Sequence, residues 1–436
     1  MKIIVLFAFL TVCLCVSLTA GEAPPGKDNM IYYQRENARF YSCTPLGTPG
    51  THRFVAVGEL APGAEGSKRP GYIAVLLLKD GKLSIESEDR FHLEQGGRKW
   101  STRVRTAAVV SQPGSQDIDI YISGKGGNDE RGIGYLRHYT WANNLLTLTP
   151  TQTIILRQEQ EGIVYTHGYS LKTGDIDGDG EQEVIWGGFF GKDINEHLSE
   201  DFADIRVFKK NPKGVIAEAA IKPFAQLPIP LRVNALEVKD MDGDAKAEII
   251  IAGRSRQGDH EYSAFAIWSG GHLSYHVDRE KSLPGRIRTV MAVDIDSDGK
   301  DELITGGRID MGERMVADLQ IWKLKPASVS SMARYNWTSD ASTRLRALAP
   351  TLVNGQFIAV GRTELRHSGD SLHWIGFIRR FQFKNGSLWP MDLPFLLDKG
   401  PDTRIRDIRS IGPGRYLYSG FFMNEQKEST GFVLIL

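Results

Sequence analysis

The sequence predicts an all-β fold, a seven-bladed β-propeller of four-stranded antiparallel blades, and three observations predict it. A short apolar strand closed by a glycine recurs seven times, ending at Gly58, Gly124, Gly188, Gly253, Gly307, Gly361 and Gly420, at spacings of 66, 64, 65, 54, 54 and 59 residues. After each glycine come a polar loop, an alternating strand such as Ala264–Trp268 or Leu319–Trp322, a turn and a closing strand such as His272–His276. The turns include Asp80-Gly81, Gly270-Gly271 and Asn385-Gly386, which are hairpin dipeptides because these residues tolerate the positive φ of a tight reversal. One unit of four short strands cannot bury both of its faces. Seven arranged radially cover one another and leave only short edges.

In chain order, Lys2 precedes an apolar run from Ile3 to Leu18 and then Thr19-Ala20-Gly21, which reads as a secretory signal peptide over residues 1–20. The run is shorter than the roughly 20 residues of a spanning helix. No later segment is long and apolar enough to cross a bilayer, so the mature chain is expected to be secreted, extracellular or luminal/periplasmic, without a membrane span. Residues 21–28 read as a linker and 29–436 as the propeller. Of 3 cysteines only Cys43 lies outside the signal, so no internal disulfide is available and the core, with any bound ions, must hold the fold. Asn336-Trp337-Thr338 and Asn385-Gly386-Ser387 have the pattern of glycan acceptors. Lys+Arg and Asp+Glu are balanced at 53 each, which argues against a nucleic-acid binder or a polybasic membrane binder. The last repeat stops at its third strand, Phe432–Leu436, while the N-terminal side carries a spare strand, Met30–Tyr33. The two are predicted to pair and close the ring.

Three repeats carry an acidic loop just before the glycine-ended strand. Asp175, Asp177 and Asp179 alternate, with Glu183 at position nine; Asp240, Asp242, Asp244 and Glu248 form a second copy, and Asp294, Asp296, Asp298 and Glu302 a third. Alternate carboxylates in a turn converge on one point, as a hard cation such as Ca²⁺ requires, and would repel one another without it. Here the chain resembles the FG-GAP or VCBS-type propellers, of which the integrin α-subunit head is the best known. The resemblance implies up to three Ca²⁺ ions. It also implies that loop position seven contributes a ligand through its backbone carbonyl, that of Glu181, Lys246 or Lys300, and loops that face away from the usual ligand-binding side, so that the ions are structural. Ala245 stands where the other two loops have Gly180 and Gly299, and if the position needs positive φ the Asp240 loop is the weaker site. Position nine is Glu rather than the integrin Asp, and the literal FG-GAP tetrapeptides are missing.

A second feature repeats in the same frame. Eight residues before each first aspartate stands a basic residue, His167, Arg232 or Arg286, and the same point in the other repeats holds Arg39, Arg103, Arg344 and Arg404. Two residues on, the charge repeats at Arg105, Arg288, Arg346 and Arg406, and the residue after the marker glycine adds Lys125, Arg254, Arg308 and Arg362. Radial symmetry gathers these around the channel mouth, on the face opposite the acidic loops. Two readings follow. The guanidiniums are forks for carboxylates, sulfates or phosphates of an acidic glycan or protein, or each pairs with a carboxylate of the next blade and holds the ring.

No nucleophile elbow, zinc motif, P-loop or dinucleotide fingerprint is present. The leading expectation is a calcium-binding propeller acting as a binding or adhesion module. The alternative is a carbohydrate-active enzyme, a polysaccharide lyase or hydrolase on an acidic sugar, with Tyr169, His167 or His260 as the candidate base. A purely structural surface protein is the third.

Overall fold

The computed structural model describes residues 30–436 apart from 48–51, 63–67, 96, 112–116, 128–131, 157–162, 196–197, 212–214, 220–229, 258–259, 279–282, 326–327, 339–340 and 367–371. The expected signal peptide and linker lie outside the described residues. Every element described is a strand, and no helix among the described residues is long and apolar enough to cross a membrane.

The architecture is a propeller-like arrangement of four-stranded antiparallel sheets. In repeat four, for example, the inner strand Arg232–Lys239 pairs with Glu248–Gln257, which pairs with His260–Ser269, which pairs with His272–Val277. Repeats one, two, three and five form separate sheets of the same kind, with inner strands Ala38–Pro45, Thr102–Ser111, Ile163–Gly174 and Gly285–Val293. The inner strands of repeats six and seven, Thr343–Pro350 and Asp402–Gly412, belong to one nine-stranded sheet; a single parallel pair, Trp374 with Asp402, links its two halves. The N-terminal strand Ile31–Glu36 pairs antiparallel with Ser429–Ile435, from Ile31 opposite Ile435 to Glu36 opposite Thr430, as the spare strand predicted.

Strand composition follows exposure of each face. Central strands are apolar on both faces because both are covered: Ile249, Ile250, Ile251 and Ala252 are all buried. Inner strands alternate, as in Arg344, Leu345, Arg346 and Ala347, where the apolar members are buried and the arginines half-buried. The predicted turns sit at positive φ: Asp80 at 51° and Gly81 at 71°, Asn385 at 52° and Gly386 at 72°. Asn143-Asn144 makes the same reversal.

The core lies between sheets, not within any one. Val57 and Ile73 of repeat one pack with Val104 and Ile122 of repeat two. Comparable clusters fill each later junction. Another joins Leu417 and Val433 of repeat seven to Phe40 and Phe54 of repeat one. Inner strands touch in the same cyclic order, that of repeat seven against that of repeat one.

Candidate functional site

All seven inner strands carry a β-bulge at the same place. The register slips by one residue at Tyr41, Arg105, Tyr169, Asn234, Arg288, Arg346 and Arg406. A bulge leaves one residue unpaired and re-aims its side chain. It also explains the recurrent glycine. A Cβ on Gly58, Gly124, Gly188, Gly253, Gly307, Gly361 or Gly420 would stand 1.9 to 2.2 Å from the carbonyl oxygen of Arg39, Arg103, His167, Arg232, Arg286, Arg344 or Arg404. Close backbone approach beside the bulge, rather than positive φ, requires glycine there.

The residues before the bulge form a first tier, and most of it is neutralised. Arg103 donates through Nε to Glu59 at 2.8 Å, Arg39 donates to the same carboxylate at 3.4 Å, and Glu59 is only 2% exposed. Arg232 reaches Asp201 at 3.4 Å, Arg286 reaches Glu261 at 3.0 Å, and Arg404 holds Asp402 at 2.7 Å. Of the residues after the marker glycine, Arg254 pairs with Glu261, Arg308 with Asp310 at 3.1 Å, and Arg362 with Asp402 at 3.1 Å. Arg103, Arg232, Arg286 and Arg362 thereby reach carboxylates of a neighbouring repeat. Burial would raise the Glu59 carboxyl, but Arg103, Arg39 and Arg69 outweigh it and hold it below its ordinary range. Arg344 lies over the Trp374 ring at 4.6 Å, with its Nε buried and without an acceptor.

His167 departs from the expected ring of cations. It is 2% exposed, stacked on Tyr165 at 5.1 Å, and neither ring nitrogen has a hydrogen-bond partner. Burial, then Lys125 and Arg232, push it down to about 2, so the ring is neutral at physiological pH. Lys125 is itself buried, and burial with Arg103 and Arg105 beside it lowers it to about 8.

The bulged residues form a second tier of different character. Arg105 lies 5.2 Å from the Tyr41 ring and 5.0 Å from the Tyr169 ring, and Arg406 lies 5.6 Å from the same Tyr41 ring. Arg288 donates to Asn234 Oδ1 at 3.1 Å, and Asn234 donates onward to the Ile287 carbonyl at 2.9 Å. Among the described residues, Arg105, Arg288, Arg346 and Arg406 make no ion pair with any carboxylate, and the Nε atoms of Arg105 and Arg406 are buried without acceptors. Burial together with adjacent guanidiniums lowers Arg288 and Arg406 to about 9 each. Arg346 is pulled well below its ordinary value by burial and by Arg406 and Arg288 on either side. The compensating negative charge is Tyr169: burial alone would raise it, but Arg105, Arg232 and Arg288 bring it down to about 6. Four guanidiniums are thus gathered near one another without a carboxylate partner among the described residues, and like charges so placed repel.

The acidic loops terminate the same inner strands at the other end. Eight residues separate Arg232 from Asp240, so at about 3.3 Å per residue the two ends lie about 25 Å apart. Backbone N–H groups shape each loop. Asp175 accepts from Gly178 at 2.7 Å and Gly180 at 2.8 Å; Asp240 accepts from Gly243 at 2.7 Å and Ala245 at 3.0 Å; Asp294 accepts from Asp298 at 3.1 Å and Gly299 at 3.0 Å. The position-nine glutamates anchor one oxygen on the backbone, Glu183 on Ile176 at 2.8 Å, Glu248 on Met241 at 2.8 Å and Glu302 on Ile295 at 3.2 Å. Burial raises all three carboxyls.

Carboxylate oxygens of Asp175, Asp177 and Glu183 lie within 4.8 Å of one another, as do those of Asp240, Asp242 and Glu248 and of Asp294, Asp296 and Glu302, so three clusters can hold metal ions. The donors fit a hard cation: the second oxygens Glu183 Oε1 and Glu302 Oε1 are buried, bond no backbone N–H, and face a cation already, the Lys209 ammonium at 3.0 Å and the Lys323 ammonium at 3.5 Å. Asp179, Asp244 and Asp298 instead accept from the N–H of Glu181, Lys246 and Lys300, the residues expected to offer carbonyls. Ala245 does adopt positive φ, 69°, against 84° at Gly180 and Gly299. Ser297 in the third loop is at 63°, so strain of this kind, about 1–2 kcal/mol per residue, burdens two loops equally.

Tyr41 and Asn234 belong to the channel site but carry no charge, and only their offset of two from Arg39 and Arg232 could have revealed them. The partner carboxylates Glu59, Asp201, Glu261 and Asp402 stand in three different strand contexts and have no common spacing. His260 is exposed.

No protein-family model matches the chain, and no curated protein sequence is similar to it. Among solved structures it is similar to Sqt1 from Chaetomium thermophilum, with TM-score 0.46 and 14% identity over 93% of this chain and 98% of that one. Sqt1 bound to the N-terminus of the ribosomal protein L10 gives the same values. A protein of unknown function from Dyadobacter fermentans is similar with TM-score 0.42 and 10% identity over 75% of this chain and 93% of that one. Likenesses this distant assign no function.

Proposed function

We propose that this chain is a seven-bladed, calcium-stabilised propeller of the FG-GAP/VCBS kind that binds an acidic glycan or protein ligand in its arginine-lined channel. The cyclic order of inner-strand contacts and of apolar clusters supports seven blades, with Ile31–Glu36 completing the last. The N-terminal apolar run supports secretion. Calcium is the cation favoured by all-oxygen donor loops in an extracellular setting.

The observation that carries the ligand reading is the difference between the tiers. Every first-tier arginine except Arg344 is matched to a carboxylate and serves the scaffold. Arg105, Arg288, Arg346 and Arg406 are placed by bulges and pair with no carboxylate among the described residues, leaving four guanidiniums beside the single Tyr169 phenolate. Scaffold pairing does not account for them; a ligand bearing carboxylate, sulfate or phosphate does. Calorimetric titration with sulfated and uronic-acid oligosaccharides and with an acidic peptide tests this. Arg346→Met and Arg406→Met should each weaken binding about tenfold or more, the value of a lost charge-assisted hydrogen bond, without lowering the melting temperature. Unchanged affinity for every anion would defeat the reading.

One observation favours the enzymatic alternative. Tyr169, lowered to about 6, stands between guanidiniums that would neutralise a uronic carboxylate. Its phenolate would take the proton α to that carboxylate, the electron pair would form the new C=C bond, and the glycosidic oxygen β to the abstracted carbon would leave. A turnover assay on uronic-acid polymers decides: an unsaturated product lost in Tyr169→Phe supports a lyase, and intact polymer supports a binding module.

A further inference from the structure

We infer that two of the three acidic loops carry their own cation, a lysine ammonium, and that the loop at Asp240–Glu248 is the one that depends on a bound metal ion. The inference rests on the reading of these loops as cation sites and reverses the ranking that Ala245 alone suggests.

The third strand of each sheet sets the difference. Val184 pairs with Phe208, Ile249 with Trp268 and Leu303 with Trp322. One residue further, Glu183 therefore faces Lys209, Glu248 faces Ser269 and Glu302 faces Lys323. The Lys209 Nζ lies 2.8 Å from Asp177, 2.6 Å from Asp179 and 3.0 Å from Glu183. The Lys323 Nζ lies 3.0 Å from Asp296, 2.6 Å from Asp298 and 3.5 Å from Glu302. Each ammonium thus stands among the side chains that would bind a metal, next to the buried glutamate oxygen that has no other donor.

The middle loop has no such group. Ser269 Oγ donates to Glu248 Oε1 at 3.1 Å, and among the described residues Asp240, Asp242, Asp244 and Glu248 form no ion pair with a lysine or arginine. Lys246, within this loop, lays its side chain against Gly178 of the preceding one. Four carboxylates there are uncompensated, so attraction for a divalent cation is strongest at that loop. At the other two a metal must first displace an ammonium already in contact with three carboxylates.

Calcium titration of the chelator-treated protein by calorimetry tests this. The native chain should fill one tight site and then two sites at least about tenfold weaker, because each of the latter must release its ion-paired lysine. Lys209→Ser and Lys323→Ser should each convert one weak site into a tight one. Ser269→Lys should weaken the tight site by about tenfold or more and raise the melting temperature in chelator, since the added ammonium neutralises the middle loop. This last variant keeps the test decisive if a lysine variant fails to fold. Three sites of equal affinity in the native chain, or a Ser269→Lys protein that titrates like it, overturn the lysine assignment and leave the loops as cation sites. Calcium uptake by no form of the protein overturns both.

Discussion

The two ends of the inner strands solve opposite charge problems by different means. At one end, carboxylates crowd three loops and are held by backbone N–H groups, with a lysine in two of the loops. At the other, arginines crowd two tiers, one mostly matched to carboxylates of its own or an adjacent repeat and one without carboxylate partners among the described residues. The contrast teaches that like-charge clusters are not equivalent. Where every charge has a partner of opposite sign, the cluster is part of the scaffold. Where carboxylate partners are absent although burial disfavours the charges, pairing within the scaffold does not account for the cluster, and the proposed ligand reading rests on that difference.

The largest expected effect comes from breaking the device that builds the basic end. Gly307→Ala sets a Cβ about where the Arg286 carbonyl oxygen, 2.0 Å away, already lies. Denaturant unfolding should show a loss of about 3 kcal/mol or more, since backbone rather than a flexible side chain must move. Removing a first-tier acid should come next. Glu59→Gln leaves Arg39, Arg69 and Arg103 without their shared carboxylate and should cost about 2 kcal/mol, read the same way.

The balance within the second tier sharpens the comparison through pH. Tyr169 is at about 6 when folded and 10.0 when unfolded, so its stabilisation is complete above pH 10 and is lost as pH falls through 6. At pH 7 it amounts to about 1.4 kcal/mol, one pH unit above the folded value. The stability difference between the native chain and Tyr169→Phe should therefore grow between pH 6 and 10, alongside a tyrosinate absorbance that Tyr169→Phe abolishes. A flat difference would show that the phenol is not the counter-charge. The smallest expected effect is a gain. Arg346→Met relieves repulsion with Arg288 and Arg406 and should raise stability by about 1 kcal/mol in the absence of ligand. A loss instead would return the second tier to the scaffold.

Much of the fold was legible in the sequence because it rests on local chemistry. Hairpin dipeptides announce themselves through φ, as Asn385-Gly386 does, and acidic loops through alternation. The marker glycine was legible as a period but not as a cause, since the carbonyl it must admit belongs to a residue about twenty positions earlier. The candidate site divides likewise. Arg105, Arg288, Arg346 and Arg406 stood out by charge, whereas Tyr41 and Asn234, at the same bulge, did not.

By itself the sequence determined the repeat, its strands, the three carboxylate loops and the positions of the arginines, because each depends on residues close together in the chain. Only the tertiary structure decided which charges are answered. Glu59 meets Arg103 and Asp402 meets Arg362 across sheet boundaries, while Lys209 and Lys323 reach their loops through strand register. Ion pairing is fixed by distances of a few ångströms between remote segments, and no spacing along the chain encodes those.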